Sequence, residues 1–310
     1  MKNIILTILI TVVLLSSTSL FAQQDAQYTQ YMYNMNILNP AYAGSVEGTL
    51  TASLLGRSQW VGVPGAPQTT TLSVHSPITP RMGLGLSILA DKIGPVNEQF
   101  IFADYSYTIP VGSYDNLAFG VKAGISLFQG NLVDLKTVAD FGEDFNFSQD
   151  IANSKPNVGF GAFYYSDIYY FGASVPNLLS TTYFEKDGAG NVTNISKTQH
   201  LFLTGGYVFD INYDWKFKPS FMTKIATGAP LSVDLSANFL FDETYEIGTS
   251  YRWDDSVSLM MNARIFENLR VGYSYDFTTT GINAYNSGSH ELLLLFNLVT
   301  SYEIVSPRFF

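Results

Sequence analysis

Along most of this chain, apolar and polar side chains alternate with a period of two, over runs long enough to cross a bilayer as strands. In 117–128, Leu117, Phe119, Val121, Ala123, Ile125 and Leu127 share one face, and Ala118, Gly120, Lys122, Gly124, Ser126 and Phe128 the other. Successive side chains of an extended chain point to opposite sides, so such a run is a strand with one apolar face. In 231–239, Leu231, Val233, Leu235, Ala237 and Phe239 oppose Ser232, Asp234, Ser236 and Asn238. In 269–277, Leu269, Val271, Tyr273, Tyr275 and Phe277 oppose Arg270, Gly272, Ser274 and Asp276. Runs of about ten residues match the roughly 9–11 of a membrane-crossing strand rather than the ~5–6 of a globular one. A cation facing lipid near the midplane costs about 2–4 kcal/mol. The apolar faces therefore meet lipid, and Arg81, Lys122, Asp234, Arg264, Arg270 and Asp276 are assigned to the lumen, because a slip of one residue would turn every polar side chain outward.

Composition agrees with a strand-built membrane wall. Beyond residue 22 the longest apolar run, 292–298, is far short of the ~20 residues that a spanning helix needs. Charged residues are only 14% and aromatics 15% of the chain, where ordinary soluble domains carry about 25% charge. Few charges and many aromatics suit a lipid-facing surface with aromatic girdles. The net charge of −10 excludes nucleic acid as a partner, since phosphates require clustered cations. Lys2, the apolar run 4–15 and the small residues leading to Ala22 predict a signal peptide over 1–22, with cutting before Gln23. With no cysteine in the sequence, disulfides, thiolate metal sites and a lipidated cysteine are all excluded.

Fourteen strands are predicted, at about 46–56, 67–77, 81–93, 98–109, 115–128, 157–165, 167–175, 199–209, 214–225, 230–240, 244–253, 257–266, 269–277 and 289–302. The fold class expected is all-β, a transmembrane antiparallel up-and-down β-barrel. If both termini lie in the periplasm, the external loops follow odd-numbered strands. The long connections 57–66, 129–156, 176–198 and 278–288 fall there, and the alternate ones are short, as periplasmic turns are. The domains are then the leader, an N-terminal periplasmic extension over 23–45, and the barrel over 46–310. Segments 98–109, 157–165 and 289–302 are anomalous, because large apolar groups occupy both of their faces.

Catalytic chemistry is hard to assemble from these residues. The three histidines, His75, His200 and His290, are far apart in sequence, and Ser289 beside His290 would point to the opposite face of an extended strand. No cofactor or resident metal is expected. The acids between Asp134 and Asp150 could offer oxygen ligands to Ca²⁺, but their spacing matches no EF-hand loop and reads better as a solvated acidic loop. Gly83-Leu84-Gly85 lies inside a strand and opens no helix, so it is no phosphate cradle. Glycine there marks strand curvature or a close approach in the lumen. Arg81, Lys122, Lys224, Arg252, Arg264 and Arg270 share the lumen with Asp104, Asp234, Glu246 and Asp276. These charges are compatible with a closed or an open interior, for fourteen strands lie between filled eight-stranded barrels and open porins.

The opening block, from Gln24-Asp25-Ala26-Gln27-Tyr28-Thr29-Gln30-Tyr31 through Asn39-Pro40-Ala41-Tyr42-Ala43-Gly44-Ser45, resembles the start of the PorP/SprF family of outer-membrane proteins from Bacteroidetes. Arg57-Ser58-Gln59-Trp60, Gly272-Tyr273-Ser274-Tyr275-Asp276, Gly288-Ser289-His290-Glu291-Leu292 and Ser306-Pro307-Arg308-Phe309-Phe310 extend the likeness to the end of the chain. The resemblance implies a non-enzymatic barrel in the cell outer membrane, part of the type IX secretion and gliding-motility apparatus. It further implies as partners a secreted adhesin with a type B C-terminal domain and periplasmic or peptidoglycan-associated components of the machine. Within the extension, the aromatics make poor tether residues and good contact residues. Tyr28, Tyr31, Tyr33, Asn39, Pro40 and Tyr42 are therefore expected at the barrel's periplasmic mouth as a partner-binding surface. The competing reading is an outer-membrane channel or fatty-acid-type transporter.

Overall fold

The computed structural model describes residues 26–46, 48–131, 151–179, 181–182, 196–197, 199–227 and 229–299. Fourteen strands form the wall: β1 (Thr49–Ser58), β2 (Gln68–Thr79), β3 (Met82–Ile93), β4 (Val96–Val111), β5 (Asp115–Gly130), β6 (Ile151–Tyr165), β7 (Tyr169–Val175), β8 (His200–Tyr207), β9 (Trp215–Ala226), β10 (Ser232–Phe241), β11 (Tyr245–Arg252), β12 (Ser256–Phe266), β13 (Leu269–Thr278) and β14 (Ser289–Val299). Each is antiparallel to its sequence neighbours, and β1 pairs with β14, from Thr49 opposite Val299 to Ser58 opposite His290. The sheet therefore closes and has no free first or last strand. No described helix is long and apolar enough to cross a membrane.

Alternation sets the two faces as expected. In β5 the even-numbered Ala118, Gly120, Lys122 and Ser126 are buried inside, while Phe119, Val121 and Ile125 lie outside. Leu86, Leu235, Ile247 and Leu259 continue this apolar exterior around the wall. Trp215, Tyr213 and Tyr245 stand outside at one rim and Tyr251 and Trp253 at the other. These amphipathic rings sit where headgroups meet hydrocarbon. The connections after even-numbered strands are short, including residues 80–81, 112–114, 166–168, 242–244 and 267–268. Those after odd-numbered strands include the long 59–67, 131–150, 176–199 and 279–288. β1 begins and β14 ends at the short-turn end, which in such barrels is the periplasmic one.

The extension takes a different course from the one expected. Instead of resting at the periplasmic mouth, residues 26–46 run through the lumen and close it. Three short helical pieces shape them: a 3₁₀ turn at Tyr31–Tyr33, one helical turn at Met35–Leu38 and a 3₁₀ turn at Pro40–Tyr42. Asn39 caps the last by accepting a hydrogen bond from the Ala41 N–H, with Pro40 at the first position, where its missing donor costs nothing. Tyr31, Met32, Met35 and Leu38 pack into one apolar cluster with Phe163 and Tyr165 of β6, Tyr170 of β7, Met260 of β12, and Leu293 and Leu295 of β14. The two-sided apolar segments thus have a reason: 157–165 and 289–299 bear lipid-facing groups outside and a plug seat inside.

Candidate functional site

An irregular segment inside a barrel cannot leave its backbone polar groups unpaired, since burial without a partner costs up to a few kcal/mol per group. Here side chains of the wall meet them. Glu291 accepts from the Thr29 N–H at 3.0 Å and the Gln30 N–H at 2.8 Å. Arg252 Nη2 donates to the Tyr28 carbonyl at 3.2 Å, and Lys122 Nζ to the Asn36 carbonyl at 3.2 Å. The Ser174 hydroxyl donates to the Leu38 carbonyl at 2.7 Å, and His75 Nδ1 accepts from the Gly44 N–H at 3.2 Å. Residues 27–30 are held near the long-loop ends of β1, β11, β13 and β14, and Val46 lies at the short-turn end beside Thr49. The plug therefore spans the lumen.

Buried ion pairs brace the same wall. Asp104 and Lys122 face each other across β4 and β5, with Nζ to Oδ1 at 2.6 Å. Asp234 and Arg252 do so across β10 and β11 at 2.6 Å. Lys218 of β9 reaches over β10 to Glu246 of β11 at 2.6 Å. Arg57 bridges Asp276 at 2.6 Å and Glu291 at 3.3 Å, and also donates to the Thr29 hydroxyl at 3.0 Å. That hydroxyl in turn donates to the Asp276 carboxylate at 2.8 Å. The first plug residues are thus stitched into a buried four-residue network, in which each charge has a partner and needs one.

Tyr31 donates to Ser220 at 3.0 Å and Tyr33 to Glu246 at 2.7 Å. Small residues complete the seat. A Cβ on Gly120 would overlap the Pro40–Ala41 peptide, and one on Gly83 would overlap the Ala43 carbonyl. Both glycines let the 40–44 turn lie directly on the wall, the close approach expected for Gly83.

The residues expected at a partner surface are correspondingly inaccessible. Tyr28, Tyr31, Tyr33, Asn39 and Pro40 are buried and Tyr42 is half-buried, edge-on to His75 with ring centroids 5.4 Å apart. Their aromatic surface is spent on the chain's own lumen. Among the expected lumen charges, Lys122, Asp234, Arg270 and Asp276 are buried inside the wall. Arg264 is half-buried at the periplasmic rim, where β12 bulges. Arg81 is corrected: it sits exposed in the two-residue turn after β2, where the strand has ended and its parity no longer fixes a face. Arg57, Lys218 and Glu291 escape the alternation argument. Glu291 hides in a run of leucines, Lys218 precedes Pro219, and Arg57 lies past the predicted end of its strand. The signal that finds Glu291 is cross-strand register, since it stands opposite Arg57. Ser289 is buried inside and His290 points outward to Tyr273, 2.6 Å from its hydroxyl, so the two do not form a dyad. No group of three or more potential metal ligands gathers among the described residues. The acidic stretch after Asp134, the leader and the ending Ser306 to Phe310 lie outside the described residues.

The sequence matches the family model for the type IX secretion system membrane protein PorP/SprF over residues 20–296. Among solved structures, a FadL homologue from Pseudomonas aeruginosa is similar at 12% identity and a TM-score of 0.49, over 88% of this chain and 94% of that one. The CymD monoaromatic hydrocarbon channel is similar at 11% identity and a TM-score of 0.49, over 91% and 93%. The outer membrane protein Omp33 of Acinetobacter baumannii is similar at 9% identity and a TM-score of 0.46, over 81% and 99%. A search of curated protein sequences gives no match.

Proposed function

The chain belongs to the PorP/SprF family of type IX secretion membrane proteins, and from that premise we propose that it is a non-enzymatic adaptor barrel of the outer membrane. In this role it assists the secretion or surface anchoring of adhesin-like proteins with a type B C-terminal domain and couples them to periplasmic components of the machine. The observation that carries the reading is the lumen filled by residues 26–46, whose backbone is met by Glu291, Arg252, Lys122, Ser174 and His75. A barrel whose interior is committed to its own chain offers its rims, not a pore, to other molecules. This weighs against the channel reading. The partner surfaces then lie at the rims, because Tyr31 and Tyr33 are sequestered.

Gentle purification of the tagged barrel from its native membrane, with mass spectrometry of what accompanies it, tests the role. Co-purification of a secreted protein bearing a type B C-terminal domain together with a periplasmic type IX component is expected. An intact, folded barrel that brings neither would overturn it.

A further inference from the structure

At the periplasmic mouth, beside the exit of the plug, a cavity of about 110 Å³ is lined by Val46, Arg264, Arg270, Leu295, Asn297 and Val299, among others. Arg270 is its chemical centre. Only 8% of this residue is exposed, and its Nη2 donates to the Glu243 carbonyl at 3.3 Å, but its Nη1 has no hydrogen-bond partner among the described residues. Every other buried arginine of the lumen has a carboxylate within salt-bridge distance: Arg57 has Asp276 and Arg252 has Asp234. Among the described residues, Arg270 makes no ion pair, although Glu267 lines the same cavity. A buried guanidinium without a counter-charge is costly, and an incoming anion relieves that cost.

The surroundings narrow the anion. Leu295, Val46 and Val299 make part of the lining aliphatic, which suits a short hydrocarbon stem better than a strongly hydrated phosphate. The Asn297 carboxamide oxygen is buried and also lacks a partner among the described residues, so it calls for an N–H or O–H donor next to the anion. Arg264 adds a second cation at the rim. Arg264, Arg270, Leu295, Asn297 and Thr49 all lie on lumen-facing positions of their strands, so the cavity opens to the aqueous periplasm and not to lipid.

We propose that this cavity is a binding site for a carboxylate on a short aliphatic stem, held by Arg270 and Arg264. Either a free carboxylic acid of the periplasm or an acidic side chain of a periplasmic protein supplies that chemistry. The site does not depend on the adaptor role.

Calorimetric titration of the full-length barrel in detergent with glutarate, and separately with inorganic phosphate, tests it. Saturable glutarate binding is expected, at least tenfold tighter than phosphate. Arg270→Gln should weaken it at least tenfold without altering the heat-modifiable mobility of the barrel. Should that variant fail to assemble, Val299→Trp fills the cavity from the rim and leaves Arg270 in place, and it too should abolish binding. Absence of glutarate binding to the wild type, or unchanged affinity in an assembled Arg270→Gln or Val299→Trp barrel, would overturn the proposal. A photo-crosslinking residue at Asn268 then separates the sources. An adduct to a protein in living cells, lost with Arg270→Gln, assigns the carboxylate to that protein, and glutarate binding without an adduct assigns it to a free acid.

Discussion

Lys122 carries two loads at once: it neutralises Asp104 at 2.6 Å and donates to the plug at the Asn36 carbonyl. Removing one member of a buried pair leaves the other charge unpaired, which costs about 3–5 kcal/mol, whereas replacing both by apolar groups of like volume is often neutral. Lys122→Ala is thus expected to lower the temperature at which the purified barrel loses its compact gel mobility, and Lys122→Met with Asp104→Leu to restore only part of it, since the Asn36 carbonyl and carboxamide that the pair also serves stay unpaired. Equal behaviour of the single and double variants would show that the pair is not coupled. Its neighbour probes the other face: Val121→Arg places a cation against lipid at a cost of about 2–4 kcal/mol and should reduce the fraction assembled in the outer membrane. Alternation made Lys122, Asp234, Arg270 and Asp276 legible as inward. It could not say which neighbour each would find, because pairing follows register between strands far apart in sequence, as with Arg57 and Glu291, 234 positions apart.

The strands were readable because a period of two is enforced by lipid on one side, and most boundaries fall within a few residues of the observed ones, the sixth strand excepted, which begins at Ile151 and not at 157. The plug was not, for a physical reason. Its hydrogen bonds go to wall side chains rather than to a ladder or a long helix, so no periodicity marks residues 26–46. Its composition announced burial, through Tyr28, Tyr31, Tyr33 and Met32, but not where. The trace it left was indirect, in inward-facing Phe163 and Leu293, which have no use in a water-filled pore. Gly120 offers a test of this element. A leucine there would collide with the Pro40–Ala41 peptide, so Gly120→Leu should leave the wall assembled but expel the 40–44 turn and expose the plug to added protease in detergent. Cleavage no faster than in the wild type would mean that the turn does not rest on that strand.

At the scale of the whole molecule, a closed sheet with long connections at one end and short turns at the other predicts which rim faces the medium. An epitope inserted at Gly65, in the 59–67 connection, should be reachable by antibody on intact cells, and access only after permeabilisation would invert the topology. The plug running from Gln27 near Arg252 to Val46 near Thr49 predicts that the barrel is shut along its length. Closure is what separates an adaptor from a channel, and single-molecule conductance in a planar bilayer measures it directly. The wild-type barrel should insert and remain electrically silent or pass only brief, irregular currents, while a steady, ion-selective conductance through the wild-type protein would contradict the filled lumen and the function built on it.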